Sequence, residues 1–149
     1  HVGLGSPHWD TEARGMICGL SFVSEPAHIA RAAADSLAHQ VADIFNVMAG
    51  SGKSPGQLFV DGGPSENQFL MKLVADTLSH PVTPCRNSET SAAGAAYLAG
   101  LATGFWPDLA ALTDIISHET PIAPELAPQD RMRLRTGWRD AIARTTLRI

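Results

Sequence analysis

Two glycine-bearing stretches stand out as places where this chain could hold a phosphate or a flat ring. The first, AGSGKSPG (49–56), carries Gly52-Lys53-Ser54, the ending of a phosphate-binding loop. Such a loop is GxxxxGK[ST] set between a strand and a helix, so that amides wrap the phosphates and the helix N-terminus faces their charge. Counting back from Gly52, the pattern's first glycine falls on position 47, where the chain has Val47. The flanks are reversed too, with a helical pattern before and a strand pattern after. The stretch reads as a solvated connector at a helix C-terminus, where the dipole repels anions, with Lys53 satisfying terminal carbonyls.

The second stretch is LFVDGGPSEN (58–67). Here the chain leaves an apolar run, turns through Asp61-Gly62-Gly63 and enters a helical pattern. Ligands of open α/β sheets collect at the carboxyl ends of strands, and two glycines let a flat group lie against bare backbone. Asn67 offers a donor and an acceptor to the edge of a heterocycle. The same spacing fits a plain strand–helix turn with Asn67 facing water, and spacing alone leaves both readings open. Asp61 reads as a cap for the turn's amides rather than a Mg²⁺ contact.

Other reactive residue types form no constellation. No two of the six histidines have HxxxH spacing, so zinc has little support. There is no GxSxG elbow. Cys18 and Cys85 stand far apart without a CxxC and read as buried thiols in a reducing compartment. Asp10 and Arg14, four apart, are expected to hold the first loop together, and Trp9, Trp106 and Trp138 to act as packing anchors.

The elements that must position these residues follow from periodicity. Residues 1–15 read as an ordered loop and MICGL (16–20) as a short strand. From about Glu25 to Gly50, Ala30, Ala33, Leu37, Val41, Ile44 and Met48 form one apolar stripe of a long helix. LFV (58–60) is a buried strand. A second helix is expected from Ser65, with Gln68 as capping-box partner and Phe69, Leu70, Leu73, Val74 and Leu78 buried. PVTPC (81–85) is a third, short strand. Residues 88–103 form a helix whose small residues imply close approach to another backbone. A helical turn, a proline-rich link (Pro121, Pro124, Pro128) and an amphipathic helix over 129–147, with Met132, Leu134, Trp138 and Ile142, complete the chain. Alternating strands and helices predict an α/β fold with a partly parallel sheet.

With 149 residues the chain suffices for one domain. A net charge of −4 gives no general attraction to nucleic acid or anionic membrane. No apolar run approaches the roughly 18 residues of a membrane span, and no export signal opens the chain. The expected setting is the cytoplasm, with no nucleic-acid or membrane partner.

Three strings carry a family likeness. GLGSPHWDTEARG (3–15), VDGGPSENQFLM (60–71) and SETSAAGAAYLAGLATGFW (88–106), in this order and with near-identical spacing, resemble the C-terminal domain of the FGGY carbohydrate kinases, most similar to its glycerol kinases. The likeness runs over essentially all of residues 1–149. It implies a ribonuclease-H-like, actin-like ATPase domain with an incomplete mixed sheet, whose whole enzyme moves the ATP γ-phosphate to a hydroxyl of a small polyol or sugar. It further implies ATP and Mg²⁺ as cofactors, with Gly63 and Asn67 at the adenine and Gly62 in the same turn. Residues 92–96 resemble the helix behind that turn. The family's catalytic base, substrate pocket and phosphate-gripping loop correspond to nothing here, so no catalytic or metal-ligating residue is expected in this chain, which looks like a fragment. His8 departs from the family's usual tyrosine, and Ala34-Asp35 from a bulkier residue before an acid, which puts strict glycerol specificity in doubt. A fragment of this kind is expected to be marginally stable alone or to associate, a homo-oligomer included. Two other readings stand beside it: a non-catalytic interaction module descended from a kinase, and a different α/β nucleotide binder of the same superfamily.

Overall fold

Alanine decides which side of the long helix faces inward. The computed structural model describes residues 3–50, 52, 56–113 and 115–147. Its first helix, α1 (Pro26–Gly50), buries Ala38, His39 and Ala42, with Ala34 half-buried one turn earlier. The expected stripe lies on the other side: Leu37 is 44% exposed, Val41 39%, Ile44 42% and Met48 63%. The ridge Ala34-Ala38-Ala42 recurs every fourth residue, and its bare methyls let a neighbouring helix approach closely. That neighbour is α2 (Gln68–Leu78), which buries Leu70, Met71, Leu73, Val74 and Ala75. Phe69, expected inside, is 53% exposed and lies under the Arg31 guanidinium, 5.3 Å from the ring centroid.

Two three-residue strands complete the core. β1 (Leu58–Val60) and β2 (Val82–Pro84) pair in parallel, Leu58 with Val82, Phe59 with Thr83 and Val60 with Pro84, and α2 is the crossover between them. Every residue of β2 is buried, whereas β1 is only half-buried, with Phe59 43% exposed. Val82 joins Ala38 and the α2 side chains in one apolar cluster. The far edge of β2 is covered by the proline-rich link, which pairs with it antiparallel at Ile122 and His118. Pro121 has no N–H to give, so the pairing is carried by discrete bonds from Glu119 N to Pro84 O at 2.8 Å and Ile122 N to Val82 O at 2.8 Å. The sheet itself is thus two-stranded and parallel, with isolated antiparallel bridges along one edge in place of the further strand a mixed sheet would have.

One carboxylate fastens that link. Asp76 Oδ1 accepts from the amides of Glu125 (2.6 Å) and Leu126 (3.1 Å) and from Lys72 Nζ (3.1 Å). Partial burial pushes its carboxyl up, but the two amides and Lys72 outweigh burial and leave it below its ordinary value.

The remaining helices are α3 (Thr90–Ala102), α4 (Ala110–Thr113) and α5 (Pro128–Thr146). The small residues of α3 are not buried against another backbone among the described residues; Gly100 instead lies under the Trp106 ring, which leaves no room for a Cβ. In α5, Leu134, Trp138 and Ile142 are half-buried as expected, but Met132 is 64% exposed. Residues 16–20 form no strand: they have no ladder partner among the described residues, and Ile17 and Leu20 are exposed. Cys18, in the same segment, is exposed rather than buried, and Cys85 is half-buried; both are free thiols. Burial and the nearby Asp61 charge push the Cys85 thiol up. Among the described residues no helix is long and apolar enough to cross a membrane.

Two outcomes follow from the reversed face of α1. Ala38→Leu should lower stability by about 1–3 kcal/mol through overpacking, while the larger residue beside it tolerates truncation, Leu37→Ala costing less than about 0.5 kcal/mol; urea midpoints compare them directly. The exposed stripe should make the isolated chain associate at micromolar concentration, with a broad thermal transition, and Leu37→Glu with Ile44→Glu should shift light-scattering mass towards the monomer.

Candidate functional site

The carboxyl ends of β1 and β2 open on the same side, so residues 61–63 and 85–88 meet there. Cys85 N donates to Val60 O at 2.8 Å, and Gly62 N donates to Ser88 O at 3.1 Å. The second bond fixes the Asp61-Gly62-Gly63 corner against the loop that leads into α3.

The two glycines serve different needs. Gly62 has φ 84° and ψ 165°, a conformation open essentially to glycine alone. A Cβ on it would meet little, Pro64 Cδ at 3.8 Å being its nearest neighbour, so the demand is on backbone conformation. Gly63 lacks that demand, and a Cβ built on it would meet nothing within 4 Å. Its bareness keeps space open outside the turn.

Residues Gly63–Glu66 then form a single 3-10 turn. Ser65, expected to cap the following helix, is buried and sends its hydroxyl back to Gly62 O at 2.7 Å. The cap is Asn67, whose Oδ1 accepts from Leu70 N at 3.1 Å. Proline at position 64 and the Ser65 bond favour the tight turn over a capping box, so α2 starts three residues later than expected. The consequence for Asn67 is chemical. With Oδ1 committed to the helix, the exposed amide presents Nδ2 as a donor and keeps little acceptor capacity outward. Asp61 is exposed, and among the described residues its carboxylate does not close the turn; Ser65 and Ser88 do.

Gly62, Gly63 and Asn67 thus come together on one open shoulder at the strand ends. A groove of about 670 Å³ runs past the other side of the turn, lined by Ser65, Gln68, Lys72, Arg86, Glu119 and Ile122 among others, and excludes all three. Its cations are already engaged, Arg86 Nε with Glu119 at 3.3 Å and Lys72 with Glu125 at 3.0 Å and with Asp76, and Glu66 adds a further negative charge to the lining. The groove therefore offers no net positive field to a phosphate.

The first stretch behaves as a connector where it can be followed. α1 ends at Gly50 and β1 begins at Leu58, and Gly52 has φ 83° with its amide donating to Ala49 O. Lys53 and Ser54 lie outside the described residues. In the first loop, Leu4 and Asp10 exchange backbone bonds of 2.7 and 2.9 Å, and a Cβ on Gly3 (φ 88°) would come within 2.6 Å of Asp10 O. Asp10 Oδ1 also accepts from Glu12 N, and Arg14 Nη1 donates to Glu12 O, so both residues hold the loop, each through Glu12. Trp9 is no anchor, being 77% exposed.

Periodicity gave no warning of a polar knot on the opposite face of α1. Asp43 accepts from Arg135 Nη2, from Trp138 Nε1 at 2.7 Å and from His8 Nε2 at 3.2 Å. Burial pushes its carboxyl up, but Trp138, Arg135 and His8 more than offset this and hold it below its ordinary value. His39 stacks on Trp138 with centroids 5.4 Å apart. The only sequence clue was the spacing of His39 and Asp43, one helical turn apart on one face.

Comparison with known proteins brings a family to this geometry. Residues 1–103 match the FGGY family of carbohydrate kinases, C-terminal domain. A glycerol kinase of Symbiobacterium thermophilum is 46% identical over 144 residues, which cover 96% of this chain and 29% of that protein. One from Pasteurella multocida gives the same identity and coverage. The chain thus spans under a third of the length of these relatives. Among solved structures, Plasmodium falciparum glycerol kinase with ADP superposes over 99% of this chain and 30% of its own, with a TM-score of 0.85 at 26% identity. Xylulose kinase from Rhodospirillum rubrum does so over 89% of this chain and 28% of its own, with a TM-score of 0.73 at 27% identity.

The division of labour between the glycines has a direct test. Gly62→Ala should cost about 1–3 kcal/mol of stability from backbone strain, whereas Gly63→Ala should leave stability unchanged or raise it by up to about 1 kcal/mol. Equal losses in denaturant titrations would contradict that division.

Proposed function

Since this chain belongs to the FGGY family of carbohydrate kinases, as its C-terminal domain, we propose that it seats the nucleotide in an ATP-dependent kinase acting on a small polyol, glycerol-like by preference. The observation that carries this reading is the shoulder itself: Gly62, Gly63 and Asn67 at the carboxyl ends of two parallel strands, with open space outside Gly63 and a free amide donor at Asn67. A purine fits these terms. Its face would lie on the backbone at Gly63, and a ring nitrogen would accept from Asn67 Nδ2.

Phosphoryl transfer asks the protein for placement and charge stabilisation more than for covalent chemistry. In this reading the chain fixes the base, and the Gly62–Ser88 bond holds the seat rigid while the rest of the enzyme aligns the alcohol. Mg²⁺ would supply charge neutralisation on the phosphates. In this reading the chain's part is to hold the nucleotide that the ion accompanies. The domain covering residues 1–149 is proposed to be one portion of a longer kinase, and the alcohol's proton acceptor to reside in another portion.

The exposed apolar faces of α1 and residues 16–23 favour a second reading, an interaction module without nucleotide affinity. One pair of substitutions separates binding from mere structure. Asn67→Asp keeps the oxygen that caps α2 but removes the donor; it should preserve stability and raise the KM for ATP by about tenfold, the worth of one hydrogen bond of about 1.4 kcal/mol. Gly63→Ala should raise it likewise by filling the shoulder. Steady-state kinetics in the full-length polypeptide with glycerol as acceptor reads both, and calorimetry finding no ATP affinity in the native protein would favour the module.

A further inference from the structure

The knot between α1 and α5 contains a titratable contact that the kinase reading leaves without a role. Arg135 of α5 reaches His39 twice: Nη1 lies 3.3 Å from the ring Nδ1 and donates to the His39 carbonyl at 3.1 Å. A guanidinium has only donors, so the ring nitrogen facing it must offer a lone pair. His39 is therefore neutral, with its proton on Nε2. It is also buried, 7% exposed, and sandwiched by the Trp138 indole, which leaves water little access.

We propose that His39 makes the docking of α5 on α1 a pH-sensitive latch, closed while the imidazole is neutral and opened by its protonation in the mildly acid range. A proton on Nδ1 abolishes the acceptor and sets two cations face to face at 3.3 Å. The groups around the ring are accounted for on each side. On α1, Asp35 and Asp43 favour the protonated form; Asp43 is already engaged by Arg135, Trp138 and His8, the last reaching in from the first loop. On α5, Arg135 opposes it. On α2, Lys72 and Asp76 are engaged with each other and with residues 123–126. Burial first, and Arg135 second, hold the imidazole below its ordinary value against the two carboxylates. The folded protein thus binds this proton less tightly than the open one, so docking is at full strength above about pH 6.5 and weakens as pH falls below it. Asp43 titrates far lower and stays ionised throughout.

Hydrogen exchange of α5 amides in the full-length polypeptide, corrected for intrinsic rates, tests this between about pH 7.5 and about pH 5. Opening should rise by up to about tenfold per pH unit as pH falls below about 6.5, and level off once His39 is protonated in the closed form as well. Asn can supply an acceptor near the Nδ1 position without titrating, so His39→Asn should flatten the profile. Histidine NMR on the native protein should place the His39 titration at the acid end of the pH range over which opening rises. A profile identical in native protein and His39→Asn, an α5 unresponsive to pH, or a native His39 that titrates at or above about pH 6.5 would each overturn the latch. Should His39→Asn not fold, the native NMR and exchange curves decide alone.

Discussion

Ala38 is in contact on all sides, and the space it does not fill is what organises the fold. Because α1 turns only methyl groups toward α2, the two helices approach closely enough for Leu70, Leu73 and Val74 to close a core with Val82 beneath them. That approach sets the height of the crossover above the sheet, and so brings β1 and β2 into register. The register in turn places the corner after β1 beside the loop after β2. The shoulder at the strand ends is thus a remote product of helix packing, and the glycines exploit a geometry they do not create.

Much of this was legible in advance. Helix existence, the two strands and the turn between them came from period and punctuation, and the family likeness from long strings. Failures cluster where tertiary context chooses between equally apolar options. Hydropathy ranks Leu37 and Ile44 above Ala38 and so points to the stripe that contains them as the inner face; close packing selects the small residues instead. MICGL has the composition of a strand, but a strand needs a ladder partner, and none of the described residues pairs with it. The link with Pro121 lacked a ladder pattern yet covers the edge of β2, because isolated bonds suffice where the backbone merely needs satisfying.

The candidate site divides in the same way. Gly62, Gly63 and Asn67 were identifiable because backbone freedom and a strand–turn–helix order leave a signature in one short string. The direction of the Asn67 amide was not, since it depends on whether Ser65 or Asn67 caps α2, and both are good caps. The Asp43 knot was invisible because its members come from three separate parts of the chain, and nothing local marks Arg135 and Trp138 as partners of a carboxylate so far away. Polar interactions built from non-local pairs are legible only after the fold is known.

The bond from Gly62 to Ser88 carries a consequence for the order of assembly. Its two ends flank α2 and β2, so it can close only after the crossover helix has formed and the second strand has docked beside the first. Local structure such as α2 is available to the chain early; the corner is a late arrival. Nucleotide affinity at that corner would then report completed folding rather than mere presence of the chain, and ligand in the cell would act as a selective brace for the fully assembled unit, drawing the population away from partly folded intermediates.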